Sequence, residues 1–504
     1  MISNKQLIDL DIILKKNLNT SIHLKDFDKA LRLIELSTNL QYNYCFNKTL
    51  YDKELEHSLQ KIADHLFENV EIVPEDDVVL FYDFFGYDNR GLTQQYLRAL
   101  KKLNKRIVLV FENKKRQYKN EAILAEIEDY SNHTIYYLEG NNRIELSNSL
   151  FTIIKNERPK DILMHLIPWD TIAYMVFFKL KGVTRYQINL TDHTFWLGTD
   201  ITDVNIEFRS FGMNLSEQLR NIPVHKTRIL PFYPILSTEP FQGFDFNSEG
   251  KKIIFSGSTF YKILGHNLEF FETILRLLKL DDRLIFVLAG SGNDKVIIDF
   301  ITKHNLENRL FLIGDRYDLF EVMKRVDYYI TTFPFTGALM TQIAVAAGIP
   351  AFAYVNSKSL YNGIEDLFFK SENFKHVESL DELVEKFSLE HSKAESKNSK
   401  EKESIINEEE FAEGLGKILK GENPMSFLEK RVSIAASYQT FNELMIEIEN
   451  LYNPTLESTI NKYLSAKERL KIIPGYRRNY YKKVFKENKV QFLKELYYYL
   501  IKGE

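Results

Sequence analysis

Two doubly wound parallel α/β domains facing a cleft, with helical extensions at both ends, are what this 504-residue sequence predicts. Three observations carry the prediction. From Val78 onward, short apolar runs alternate with amphipathic stretches. A second series of the same kind starts near residue 250. The segment between them, with Pro234, Pro240, Gly243 and Gly250, has no hydrophobic period and reads as a linker. Sheets of this kind bind ligands at the carboxyl ends of their strands.

Residues 1–74 read as a helical extension, because stretches beginning at Leu7, Phe27 and Glu54 space their apolar residues three and four apart. Residues 75–238 form the first domain. The run Val78–Phe85 ends at Gly86, an amphipathic helix follows Gly91, and a second apolar run starts at Arg106. Strand, glycine turn, helix and strand within about thirty residues make the parallel βαβ unit. Residues 245–385 repeat the pattern without a gap and form the second domain. Residues 386–424 are polar and charge-mixed and read as a linker, a solvated loop or helix. Residues 425–504 read as C-terminal helices with a basic tail: Lys462, Lys467, Arg469, Lys471, Arg477, Arg478, Lys482, Lys483, Lys486, Lys489 and Lys494 interleave with Tyr476, Tyr480 and Tyr481. Such a helix suits peripheral contact with anionic lipid; packing its aromatics on the protein body is the alternative.

Composition narrows the class. At 44% hydrophobic and 27% charged residues, wholesale disorder is excluded. Lys and Arg (66) against Asp and Glu (70) give a net charge of −4, which argues against nucleic acid as a partner. The single Cys45 makes no internal disulfide and no cysteine-built zinc site, which fits a reducing compartment. The N-terminus lacks a signal-peptide pattern, and the longest apolar stretch, Met164–Lys179, is broken by His165, Pro168 and Asp170. A cytoplasmic protein is expected, at most peripheral at the inner face of a membrane. GxGxxG, Walker, HExxH and GxSxG motifs are absent from the sequence. The Asp9/Asp11 and Asp26/Asp28 pairs fall within helices, so no metal or other cofactor is expected.

Four stretches hold residues suited to chemistry. In 330–354 an apolar strand ends at Phe333, Pro334 and Gly337 make a turn, and a small-residue helix begins near Ala338. The start of that helix offers unpaired N–H groups and a positive dipole end, suited to a diphosphate, with Thr336 and Thr341 as hydroxyl donors. Close packing of helix on sheet explains the same residues. In 253–267 a strand delivers Ser256, Gly257, Ser258 and Thr259, and Lys262 follows as a flexible cation for phosphate. In 187–203 Asp192, His193 and Trp196 follow a strand of the first sheet, and an imidazole there is a natural proton acceptor. In 84–95 Gly86 and Gly91 flank Arg90 ahead of a helix, as a cleft-facing loop on the acceptor side.

Taken together these motifs resemble a GT-B type glycosyltransferase, over roughly residues 78–380. Residues 258–263 (STFYKI) are similar to the Tyr-Lys-Ile stretch of the O-GlcNAc transferase-like group, whose lysine contacts the donor diphosphate; that role falls on Lys262. Residues 332–350 resemble the group's Pro-x-x-Gly…Ala-x-x-x-Gly-x-Pro signature, which places nucleotide phosphates at Thr336, Gly337, Ala338 and Leu339, with Met340 and Thr341 beside them. The resemblance adds Arg316 and Tyr317 to the donor side. Residues 189–203 resemble the His-containing motif of bacterial polysaccharide glycosyltransferases, which puts acceptor-side catalysis on His193 with Asp192, and Trp196 beside the acceptor. Ile343 stands where many relatives carry an acid that grips the donor ribose, and Leu339 and Met340 replace a threonine pair. The paired glutamates of retaining relatives are missing from 330–350. The resemblance therefore implies a metal-independent, inverting transfer of a hexosyl or N-acetylhexosaminyl group from a UDP-sugar. The acceptor would be a glycan, lipid-linked glycan or protein hydroxyl in bacterial glycan biosynthesis. A non-catalytic GT-B subunit serving a partner glycosyltransferase or an acceptor protein, and a GT-B sugar-nucleotide epimerase, are its alternatives.

Overall fold

The computed structural model describes residues 3–84, 91–112, 120–355, 363–393, 406–452 and 456–472, with 489, 490, 493 and 497. The chain opens with α1 (Asn4–His23), α2 (Phe27–Tyr44) and α3 (Lys53–Leu66). Ser3 and Gln6 close a reciprocal capping box on α1, and the Asp52 carboxylate accepts the Glu54 and Leu55 amides at the start of α3. There follow β1 (Val70–Glu71), β2 (Glu75–Asp83), α4 (Leu92–Lys102), β3 (Arg106–Phe111), α5 (Glu121–Leu124), β4 (His133–Tyr137), α6 (Arg143–Glu157) and β5 (Pro159–His165). Then come α7 (Thr171–Phe178), β6 (Leu180–Lys181), β7 (Thr184–Asn189), β8 (Val204–Glu207), α8 (Ser210–Gln218) and β9 (Thr227–Ile229).

The second domain contains β10 (Lys252–Gly257), α9 (Glu269–Leu278), β11 (Leu284–Ala289), α10 (Lys295–His304), β12 (Leu310–Leu312), α11 (Leu319–Met323) and β13 (Tyr328–Ile330). It continues with α12 (Ala338–Ala346), β14 (Ala351–Tyr354), β15 (Phe374–Val377) and α13 (Leu380–Ser392). The C-terminal elements are α14 (Glu408–Leu419), α15 (Ala435–Tyr452), α16 (Leu456–Tyr463) and α17 (Ala466–Ile472).

All strand pairs are parallel. One sheet runs β4-β3-β2-β5-β7-β8-β9, the other β12-β11-β10-β13-β14-β15, and β1 pairs separately with β6. In each large sheet the order reverses beside its first strand, between β2 and β5 and between β10 and β13. The carboxyl ends at such a reversal form the crevice of a doubly wound sheet. Helices cover both faces, so Val78–Asp83 and Leu284–Ala289 are buried throughout. That double burial is why these strands read as unbroken apolar runs.

The N-terminal helices are the wall of the first domain. Leu31, Ile34, Leu59 and Ile62 share one core with Tyr174 and Phe177 of α7. At the other end of the chain α15 and α16 pack on α2, and α17 on α1. Within the expected polar linker 386–424, residues 394–405 lie outside the described residues, and the part from 406 onward departs from a solvated segment. The Asn407 side chain and Glu410 form a capping box, and α14 packs on α4, burying Phe411, Ala412, Leu415 and Ile418. Charges outnumber apolar residues there, yet the apolar ones sit on one helical face. The linker near residue 240 is likewise pinned to the second domain: Phe241 meets Phe244 edge-on at 5.1 Å, and Phe244, Phe246 and Phe311 stack in series at ring distances of 4.9 and 4.1 Å. Tyr476, Arg477, Arg478, Tyr480, Tyr481, Lys482, Lys483, Lys486 and Lys494 of the basic tail lie outside the described residues. Among the described residues no helix is long and apolar enough to cross a membrane.

The Phe411 ring meets Tyr96 at 5.1 Å and Tyr233 at 5.5 Å, both edge-on. Phe411→Ala is expected to cost the first domain about 3–5 kcal/mol, the range for emptying a buried aromatic site. Denaturant unfolding followed by tryptophan fluorescence measures it, because both tryptophans, Trp169 and Trp196, lie in that domain.

Candidate functional site

On the second domain three loops converge at the carboxyl edge of the sheet. The Ser256 hydroxyl donates to the Ile330 carbonyl at 2.5 Å and ties β10 to β13, so it faces inward. Gly257 ends β10, and a Cβ there would lie 2.7 Å from Met340 Cε. A Cβ on Gly337 would lie 3.6 Å from the Gly257 carbonyl oxygen. Strand end and helix start therefore meet through bare backbone. Gly337 caps α12 without a side-chain acceptor, and the Thr341 amide is the first to bond back, to Gly337 at 3.0 Å. The N–H groups of Ala338, Leu339 and Met340 are thus left at the positive end of the helix. Thr341 does not add a donor: it is fully buried, its hydroxyl spent on Gly337 and Thr331.

The turn bearing Lys262 joins the same place, since its carbonyl accepts the Phe335 amide at 3.2 Å. Thr259 heads that turn and is exposed, while Thr336 is half-buried ahead of Gly337. The Ser258 hydroxyl is buried without a hydrogen-bond partner among the described residues. A third loop, Gly290–Gly292, escaped the sequence reading although glycines directly follow the apolar run of β11. Gly290 has φ +126°, and a Cβ there would lie 1.9 Å from the Ser258 carbonyl oxygen. Only glycine lets this loop support the Ser258 turn.

Arg316 and Tyr317 do not join the cradle. The Arg316 guanidinium is held by Asp318 at 2.6 and 2.7 Å and donates to the Gly243 carbonyl at 2.8 Å, so it fastens the linker. Tyr317 is 71% exposed beside it.

The first domain supplies Asp192 and His193 just beyond β7. Asp192 is fully buried; Arg209 grips its carboxylate with two bonds of 2.6 and 2.9 Å, and His193 Nδ1 lies 3.2 Å from it. Burial opposes ionisation of Asp192, but the Arg209 cation and the bonds from His193 and Arg209 outweigh it and hold the carboxyl below its usual range. A carboxylate only accepts, so Nδ1 carries the proton and Nε2 is left as acceptor. The His193 side chain is 36% exposed.

Beneath the loop lies Arg220, fully buried, donating to the Asp192 carbonyl at 2.7 Å and to Ser216 Oγ at 3.0 Å. Its guanidinium lies 4.9 Å from the Trp196 ring. Trp196, expected beside the acceptor, is 3% exposed and is part of this support instead. Gly91 caps α4 against Ile235; Gly86 and Arg90 lie outside the described residues.

The sequence reading also missed a polar cluster at the reversal point of the first sheet. Asp83 and His165 end β2 and β5 and are register partners, with His165 Nδ1 3.1 Å from Asp83 Oδ1. The Thr93 hydroxyl donates to Asp83 at 3.0 Å. A histidine closing an apolar run is the signal the sequence offers for this pair.

The two halves meet. Ring distances of 5.7 Å from His193 to Phe441 on α15, and 5.9 Å from Phe441 to Phe335, span the cleft. Arg209 donates to the Gly363 carbonyl at 2.5 Å, and the Ser210 amide and hydroxyl donate to Asp366 at 2.6 and 2.5 Å. Gln342 on α12 donates to the Phe232 carbonyl at 2.6 Å.

The fold is thus a two-domain parallel α/β architecture with one doubly wound sheet in each domain. No family model matches the sequence, and no curated protein matches it. Among solved structures it is similar to a glycosyltransferase from Rickettsia africae, at 11% identity and TM-score 0.46, over 75% of this chain and 100% of that one. It is similar to the UDP-GlcNAc 2-epimerase of Neisseria meningitidis bound to UDP-GlcNAc, at 13% and 0.45, over 68% and 98% of the two chains. An O-GlcNAc transferase variant from Thermobaculum terrenum matches at 11% and 0.46, over 88% and 85%.

Removing one partner of a buried ion pair strands the other, which costs about 3–5 kcal/mol, so Arg209→Ala is expected to lose that much. The Asp192 carboxyl sits below its unfolded value of 3.8, so its stabilisation is complete above that pH and is lost on acidification below it. Thermal unfolding across this acid range is expected to show a smaller fall for Arg209→Ala than for the parent protein.

Proposed function

We propose that the chain is a metal-independent, inverting glycosyltransferase that takes its sugar from a nucleotide-sugar donor, a UDP-sugar by the resemblance, and passes it to a hydroxyl of a glycan, lipid-linked glycan or protein. The observation that supports this reading is a bare strand end at Gly257 beside an uncapped helix start at Gly337 on one domain, with a carboxylate-bonded histidine on the other.

The donor diphosphate would lie against the N–H groups of Ala338, Leu339 and Met340, with the Ser258 hydroxyl as a further donor and Lys262 as counter-charge. As the glycosidic bond breaks, negative charge builds on the leaving diphosphate. Preorganised amides stabilise that charge without reorganising, the largest single source of acceleration in such sites. His193 Nε2 accepts the proton of the attacking hydroxyl, and the buried Asp192 carboxylate steadies the imidazolium that forms. A cytoplasmic location, where Cys45 stays reduced, accords with this chemistry.

His193→Ala is expected to lower kcat by about 10²–10⁴-fold, the usual weight of a general base, while nucleoside diphosphate binding stays as in the parent. Lys262→Ala is expected to weaken that binding instead. A thermal-shift series with UDP, GDP, ADP and TDP reads it directly, since a ligand at 100 times its Kd stabilises by about 2.7 kcal/mol. If no nucleotide shifts the melting point, the transferase reading falls and a non-catalytic subunit replaces it. An epimerised sugar formed without acceptor would assign the epimerase.

A further inference from the structure

We propose that Glu56, on α3 of the N-terminal extension, is a positioning residue that holds the His193 loop in its working conformation. The inference rests on the reading of His193 as the reacting base. The loop from Leu190 to Asp203 carries that histidine, and it is anchored at two places. Arg220 holds its first half through the Asp192 carbonyl. The second half is held from outside the sheet. Glu56 Oε1 accepts the amides of Gly198 at 2.9 Å and Thr199 at 3.1 Å, and Oε2 accepts that of Asp200 at 3.2 Å.

Three consecutive amides can aim at one carboxylate because Gly198 has φ +124°, which opens a short helical turn at Thr199–Ile201. Those amides head the turn and have no acceptor within it. Between the two anchors the Leu197 amide is fixed to the Pro168 carbonyl at 2.8 Å.

The carboxylate belongs there for a reason beyond packing. Glu56 is 1% exposed, and a buried acid is costly unless its bonds compensate. Burial first, then the charge of Asp200, pushes its pKa up to about 7 despite the amide bonds. An apolar residue would fill the space more cheaply, but it would leave three amides without acceptors. The neighbours reinforce the grip: Gln60 donates to Asp200 at 2.9 Å and to the Tyr174 hydroxyl at 3.2 Å, and Tyr51 donates to Asp200 at 3.4 Å. Residues 51, 56 and 60 all lie on or beside α3, so the extension grips the second half of the His193 loop at Gly198–Asp200.

The test compares Glu56→Ala and Glu56→Gln with the parent in three readouts. In Glu56→Ala, hydrogen exchange of the 198–200 amides is expected to speed up, and the imidazole titration of His193, followed by NMR, to shift. The kcat is expected to drop by roughly tenfold to hundredfold, the scale of a misplacement of about 1 Å, while the nucleoside diphosphate thermal shift is retained. Glu56→Gln keeps one acceptor oxygen and is expected to fall between the two; should Glu56→Ala not fold, this variant carries the test. Faster exchange with an unchanged His193 titration and unchanged kcat would overturn the proposal, leaving Glu56 a structural residue only. Unchanged exchange would overturn it as well. If the parent transfers no sugar, the exchange and titration arms still decide the role of Glu56, while the transferase reading falls separately.

Discussion

One cation, Arg209, joins the Asp192–His193 loop to the opposite domain. Its guanidinium binds the Asp192 carboxylate through two parallel bonds and reaches the Gly363 carbonyl with a third. Taking both charges out of water costs several kcal/mol per ion, and bidentate geometry with further hydrogen bonds is what offsets it. The next residue continues the junction. Ser210 begins α8, and the acceptor at its amide is Asp366, from the other domain. A helix start that lacks a cap from its own chain segment, and takes a negative charge from across the interface, is stabilised only while the domains stay together.

Much of this molecule was legible because a parallel sheet covered on both faces demands apolar strands and glycine at strand ends. The βα alternation, the Gly257 turn and the start of α12 follow from those demands. The side-chain network did not. Nothing in the sequence singles out Arg209 and Arg220 among its arginines, and only the pairing of their elements shows that both are buried. Asp83 and His165 lie 82 residues apart and meet only through strand register. Trp196 and Arg316 sit in loops that border the cleft, but sequence position does not say which way a side chain turns. Trp196 turned inward to Arg220, and Arg316 turned to the linker.

The terminal extensions complete the site rather than decorate it. α15 packs on α2 of the first domain, and its Leu444 and Ile448 contact Gly265 of the second. Phe441 on the same helix stands between His193 and Phe335, one residue before Thr336. A side chain added at Gly265 would meet Leu444 and Pro334 at 3.0 Å, so α15 is seated against the loop that leads to the cradle. The C-terminal helix α15 therefore sets the spacing between His193 and the start of α12.

These constraints make cleft width and loop geometry a single variable. The linker cannot act as a long free hinge, because its phenylalanines stack on Phe311 and its backbone is bound by Asp318 and Arg316. Any opening of the cleft therefore has to break contacts between the domains themselves. Such a motion must separate Arg209 from Gly363, Ser210 from Asp366 and Gln342 from Phe232. All three contacts border the crevice, and the first lies one bond from the carboxylate that orients His193. Domain separation thus weakens the support of the imidazole and widens its distance from the cradle in the same step. The orientation of His193 and its spacing from the start of α12 therefore change together.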